Sequence, residues 1–105
     1  MNLNNFTIKA QEAIQKASEM TAGNQQQSIE NAHLLKALLL VDENVVSHLL
    51  KKLNVNINRL NEGLDEQIKS FPKVSGSNIY LSPTANTTLQ KAQGYLKDFK
   101  DEFVW

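Results

Sequence analysis

Cysteine is missing from all 105 residues, which excludes disulfide scaffolds, thiolate metal sites and thiol nucleophiles together. Neither charge sign is in surplus, since eleven Lys and Arg balance eleven Asp and Glu. A nucleic-acid binder carries extra Lys and Arg to displace counterions from phosphates, so the balance argues against one. No apolar run approaches the roughly 20 residues that span a bilayer, and no membrane association is expected. The opening Met1-Asn2-Leu3-Asn4-Asn5 has neither a basic n-region nor an apolar h-region, so no secretory signal is visible and a cytoplasmic location is expected. Glycine is scarce, and the four glycines precede Asn24, Leu64, Ser77 and Tyr95, never a lysine. A P-loop is therefore absent, as are a Gly-x-Ser-x-Gly elbow and a Rossmann fingerprint, and neither catalysis nor a cofactor is expected of this chain. Aromatics reach only 7%, but 41% apolar residues is well above a disordered composition. The length suits one small domain of modest stability, burying roughly 65% of its unfolded surface.

What is present reads as all-α. Phe6, Ala10, Ala13, Ile14, Ala17 and Met20 recur at gaps of three and four, which makes one apolar stripe on a helix. Thr7 stands ready as its N-cap, and Gly23-Asn24 supplies residues that tolerate a left-handed stop. The polar Gln25-Gln26-Gln27 reads as loop. Leu34 to Val41 is apolar almost all round, the mark of a helix buried on most sides. Asp42-Glu43-Asn44 breaks it, and Val45, Val46, Leu49, Leu50 and Leu53 make a short third helix ending near Asn54. Asn56 caps a fourth, carrying Ile57, Leu60, Leu64, Ile68 and Phe71 and closed by Pro72. Gly63 weakens that helix by about 1 kcal/mol relative to Ala. Lys73 to Leu81 is an irregular connection in which only Asn78-Ile79-Tyr80-Leu81 resembles a strand. Ser82-Pro83 is the strongest start signal in the chain: serine caps, and proline at the first helical position lacks an N–H that would be unsatisfied anyway. Ala85, Leu89, Ala92, Tyr95 and Leu96 form the fifth stripe, and a loop is expected from Asp98.

The fifth helix resembles the first at an offset of 75 residues, which carries Thr7 onto Ser82, Ala10 onto Ala85, Ile14 onto Leu89 and Met20 onto Tyr95. Gln15-Lys16-Ala17 then meets Gln90-Lys91-Ala92. If the first unit has four helices, the sequence stops where the second helix of the second unit should begin. A lone fifth helix must then dock on the first unit or self-associate, because an isolated helix of its length is marginal in water.

The candidate for metal chemistry is Glu30-Asn31-Ala32-His33. Di-iron bundles need two Glu-x-x-His pairs, and the only other histidine, His48, has Asn44 and Val45 upstream. His33 is therefore expected to hydrogen-bond at a helix N-terminus. Lys51-Lys52 is read as a solvated face, and Phe71 and Tyr80 as core. Two Asn-x-Thr acceptor sequences, at Asn5 and Asn86, carry no weight without a secretion signal.

Four segments together resemble the N-terminal Clp repeat domain of the Clp/Hsp100 ATPases, of the ClpB type. They are Asn5-Phe6-Thr7-Ile8-Lys9-Ala10-Gln11-Glu12-Ala13, Ile29-Glu30-x-x-His33-Leu34-Leu35-x-Ala37-Leu38-Leu39, Phe71-Pro72-Lys73-Val74-Ser75-Gly76 and Asp101-Glu102-Phe103-Val104. Asn31 stands where the family often has proline, and Trp105 where a small polar residue usually opens helix six. The resemblance implies two pseudo-symmetric helical repeats: repeat one over about 1–72, a connection over about 73–81 and a partial repeat two over 82–105. Helices six to eight, the ATPase modules that use ATP and the coiled-coil middle domain have no counterpart in this sequence. The domain would be a substrate-recognition module of a homohexameric, ATP-driven disaggregase that works in stress and with co-chaperones. Unfolded or aggregated protein would lie in a shallow, partly apolar groove between the repeats. The matching polar positions at its edge are Thr7 and Asp101. The alternative is the N-domain of another Clp ATPase, or a free-standing Clp-repeat protein, that docks an adaptor. An unrelated small helical or DNA-binding module is disfavoured by the zero net charge.

Overall fold

The computed structural model describes residues 6–76 and 78–99, with Glu43 and residues 95–99 described by backbone alone. Among these residues five helices run in the order α1 (Ile8–Gly23), α2 (Asn31–Val41), α3 (Glu43–Lys52), α4 (Ile57–Ser70) and α5 (Pro83–Phe99). Two short strands, β1 (Ser28–Ile29) and β2 (Tyr80–Leu81), lie between α1 and α2 and just before α5.

The start of α1 follows from Thr7, whose Oγ1 accepts the Ala10 N–H at 3.2 Å, filling one of the donors a helix N-terminus leaves open. Ala10, Ala13, Ala17 and Thr21 form its buried face, and the small side chains let α2 lie close along it. Its stop differs from the expected one. Asn24 is not left-handed; Gln25 is, with φ 59°. The Gln25 N–H donates to the Ala22 carbonyl and the Gln26 N–H to that of Thr21, the paired bonds of a Schellman turn. At the end of α3 the same bonds run from Asn54 (φ 62°) to Lys51 and from Val55 to Leu50, where asparagine suits the left-handed position.

The centre of the fold is α2. On one side Leu34 and Ala37 join Phe6, Ala10, Ala13, Ala17, Ile29, Ala85 and Leu89 in one apolar cluster. On the other, Ala32 and Leu39 join Leu64 and Ile68 of α4, with Val46 and Leu50 of α3 packed against them. Asp42 turns the chain between α2 and α3, its Oδ1 accepting the Val45 N–H at 3.2 Å. Asn56 caps α4 through the Arg59 N–H, and α4 ends at Ser70, with Phe71 as its C-cap just before Pro72.

The strands pair in parallel, Ser28 with Tyr80 and Ile29 with Leu81. Alternation along β2 turns Ile79 and Leu81 toward the core and leaves Tyr80 outward at 53% exposure, so Tyr80 is not the core residue expected from sequence. Its ring lies on the solvent side of a two-stranded ribbon whose other side is packed. The pairing holds the start of α5 beside that of α2. There the Ser82 Oγ accepts the Ala85 N–H at 2.9 Å, as Thr7 does for α1. The fifth helix docks: Ala85 is fully buried and Leu89 nearly so, in the cluster that contains Phe6 and Ala10. It continues through Asp98 and Phe99, so the loop expected from Asp98 does not begin there. The stripe positions Tyr95 and Leu96 are described only by their backbone.

Candidate functional site

An open apolar groove of about 380 Å³ lies where α1, α2, α3 and α5 meet. Leu34 and Leu38 of α2 make its floor; Phe6, Ala10, Ala13 and Ile14 supply one side; Val45, Val46 and Leu49 of α3 supply another; and Thr88, Leu89 and Ala92 of α5 complete it. Alanine at 10, 13 and 92 is the physical origin of the space, since these positions face it with a single methyl each. Among the described lining residues Thr88 brings the only side-chain hydroxyl, and that hydroxyl donates to the Thr84 carbonyl of its own helix at 3.1 Å. The groove therefore presents hydrocarbon to water, which favours apolar ligands without fixing their orientation.

The wall from α3 was not singled out by sequence reasoning. Val45 is 48% exposed and Leu49 54%, while their neighbours Val46 and Leu50 pack on the α4 side. The doublets Val45-Val46 and Leu49-Leu50 make the apolar stripe of α3 too wide for one packing partner, and that width was the available signal. Asp42, which is buried, caps α3 and also faces the Lys9 Nζ at 3.8 Å. It fixes the start of α3, and with it Val45, relative to α1.

Of the two residues carried over for substrate contact, Thr7 sits half-buried beside Phe6, outside the groove lining, with its oxygen engaged in the α1 cap. Accepting that bond leaves the hydroxyl its own O–H to donate. Asp101 lies outside the described residues.

The Glu30…His33 pair has a structural role. The His33 Nδ1 accepts the backbone N–H of Glu30 at 2.9 Å, as the third residue of a capping box does. With Nδ1 accepting, Nε2 carries the ring proton and donates to the Gln26 Oε1 at 2.8 Å, and the Gln26 Nε2 donates to the Ile68 carbonyl at 2.6 Å. Phe71 lies against the ring, centroids 5.4 Å apart. Burial pushes the imidazole below its ordinary pKa, and the Glu30 carboxylate opposes that in part. Both ring nitrogens are thus committed within the protein. Among the described residues no group of three potential ligands is placed to hold a metal ion, and no helix is long and apolar enough to cross a membrane.

The described residues thus build an all-α domain with a buried signature histidine and an apolar groove beside its first helix. The chain belongs to the Clp repeat (R) N-terminal domain family, which it matches over residues 5–105. It is 48% identical to the chaperone protein ClpB of Bacteroides thetaiotaomicron over 104 residues. It is 41% identical to that of Porphyromonas gingivalis, again over 104 residues. Each match covers 99% of this chain and 12% of the relative, so the chain spans about an eighth of the length of those proteins. In fold it is similar to the N-terminal domain of the ClpV1 ATPase of Escherichia coli, with TM-score 0.89 and 18% identity over 97% of this chain and 63% of that one. It is similar also to the Hsp104 N-terminal domain of Candida albicans, with TM-score 0.86 and 20% identity over 96% of this chain and 67% of that one.

Proposed function

We propose that the chain is the polypeptide-recognition module of a ClpB-type, ATP-driven chaperone, and that its groove takes extended apolar segments of unfolded or aggregated protein. The observation that carries this reading is the solvent-open groove lined by hydrocarbon, with Val45 and Leu49 half-exposed on its α3 wall. Membership of a family whose sequence relatives are ClpB chaperones supports it. Client side chains would bury themselves between α1, α3 and α5. Binding in the micromolar to millimolar range, about −8 to −4 kcal/mol, suits a machine that must pass its client on. Thr7 and Asp101 would hydrogen-bond the client at the groove's edge. The division into a first repeat over about 1–72, a connection over 73–81 and a partial second repeat over 82–105 belongs to the same proposal, with α1 and α5 as equivalent first helices. So do a homohexameric parent, its ATP hydrolysis, cooperation with co-chaperones and a cytoplasmic location.

The test is fluorescence anisotropy with labelled unfolded casein. Leu49→Asp places a charge on the groove wall at a half-exposed site, where folding tolerates it. Affinity is expected to fall by about tenfold or more, the equivalent of about 1.4 kcal/mol. Unchanged affinity with an unchanged melting curve would refute the groove as the binding surface.

A further inference from the structure

The strip Gln25–Ile29 has two jobs. Its backbone holds the second half of the chain: the Val74 N–H donates to the Gln25 carbonyl, that of Tyr80 to the Gln27 carbonyl, and that of Ser82 to the Ile29 carbonyl, each at 3.0 Å. In its middle the buried side chain of Gln26 joins His33 of α2 to the Ile68 carbonyl of α4. Whatever disturbs Gln26 therefore reaches the ladder that holds α5 in place, and α5 carries Thr88, Leu89 and Ala92 of the groove.

His33 is fully buried, and its two hydrogen bonds are compatible only with the neutral ring. Protonation would put a hydrogen on Nδ1 facing the Glu30 N–H, donor against donor at 2.9 Å. A buried donor pair of that kind costs the bond and the desolvation of both groups. The elements around the ring offer little to stabilise a cation. The connection presents the neutral amide of Gln26, and α4 presents the Ile68 carbonyl, already occupied by that amide. Phe71 contributes an aromatic face. On α4, Asp65 points outward to pair with Lys36 of α2, and Lys69 is exposed. Among the described residues Glu30 is the one carboxylate whose field reaches the ring, and it accepts a bond from the Ser28 hydroxyl at 3.0 Å.

We propose that His33 is an acid-operated latch: when its ring takes a proton the His33–Gln26–Ile68 chain opens, the Gln25–Ile29 strip loosens, and β2 with the start of α5 is released from β1. The latch is a property of the fold and does not depend on what the groove binds.

The test is backbone and imidazole NMR on the whole chain, with amide hydrogen exchange corrected for intrinsic rates, between about pH 7.5 and about pH 5. The Tyr80 and Ser82 amides are expected to lose protection by roughly tenfold per pH unit once the medium falls below the ordinary imidazole range, while amides inside α1 change far less. His33→Gln replaces the ring with an amide that can still accept the Glu30 N–H, as in an ordinary capping box, but cannot titrate. In it the Tyr80 and Ser82 protection should be flat over the same range. A wild-type-like loss in that variant, or no loss in the wild type, overturns the proposal. Should the variant fail to fold, the wild type decides alone: protonation of the His33 ring, read from its imidazole shifts, must be accompanied by lost protection at the Tyr80 and Ser82 amides, and a ring that takes its proton while that protection is retained refutes the latch.

Discussion

Thr7 illustrates how one side chain can hold two assignments that a single substitution separates. Its oxygen caps α1, so Thr7→Ala should lower stability by about 1 kcal/mol, measured by urea unfolding. Thr7→Asp should melt like the wild type, because aspartate caps as well and favours the positive end of the helix dipole. If affinity for labelled unfolded casein also stays unchanged in that variant, the hydroxyl has no part in the proposed recognition. Gln25 invites the opposite kind of change. A side chain at φ 59° costs about 1 kcal/mol relative to glycine, and its exposed amide faces no packing demand. Gln25→Gly should therefore raise the unfolding free energy by about that amount; a destabilised variant would show that the side chain, not the turn, matters. His33 sets the pH dependence. Its pKa is lowered by folding, so the unfolded chain binds the proton more readily. Its contribution is complete above about pH 6.5 and is lost as the medium becomes more acid, falling toward the native ring's own lower value.

At the scale of elements, the periodicity of apolar residues located all five helices, because each stripe had to meet a partner and the caps at Thr7, Asn56 and Ser82 use local hydrogen bonds that sequence alone specifies. The two strands were not legible as a pair. Two residues carry no period, and what makes them strands is the meeting of Ser28–Ile29 with Tyr80–Leu81 across the fold. Tyr80 was misplaced for the same reason, since which face of a two-residue ribbon is covered depends on what lies over it. The left-handed stop of α1 fell on Gln25 and not on Gly23-Asn24 because the Schellman bonds, made to Ala22 and Thr21, fix the position by geometry. A groove was expected from the family resemblance alone, and its lining was not legible in the residues because its volume arises from alanines on α1 and α5 that read, singly, as ordinary helix positions. In α4, Gly63 is exposed and has open space around the site of an added Cβ. Gly63→Ala should stabilise the protein by about 1 kcal/mol, seen as a raised thermal midpoint, and a loss of stability would mean that the glycine serves something other than the helix.

Across the whole molecule, α2 is the shared wall of two apolar clusters, and α5 reaches it only because the β1–β2 bonds deliver Ser82 and Ala85 to its flank. This arrangement leaves α3 with no fully buried side chain among the described residues, its Val46 and Leu50 inward and its Val45 and Leu49 open. An apolar helix face kept at a groove's edge has little to offer folding, and the proposed function gives it a use in meeting a client chain. The measurement that addresses this most directly is a methyl-resolved NMR titration with an extended, apolar, unstructured peptide. Perturbations are expected to concentrate on Ala10, Ala13, Leu38, Val45, Leu49 and Leu89. Perturbations confined to the α4 face, around Leu60 and Leu64, would contradict the proposed function.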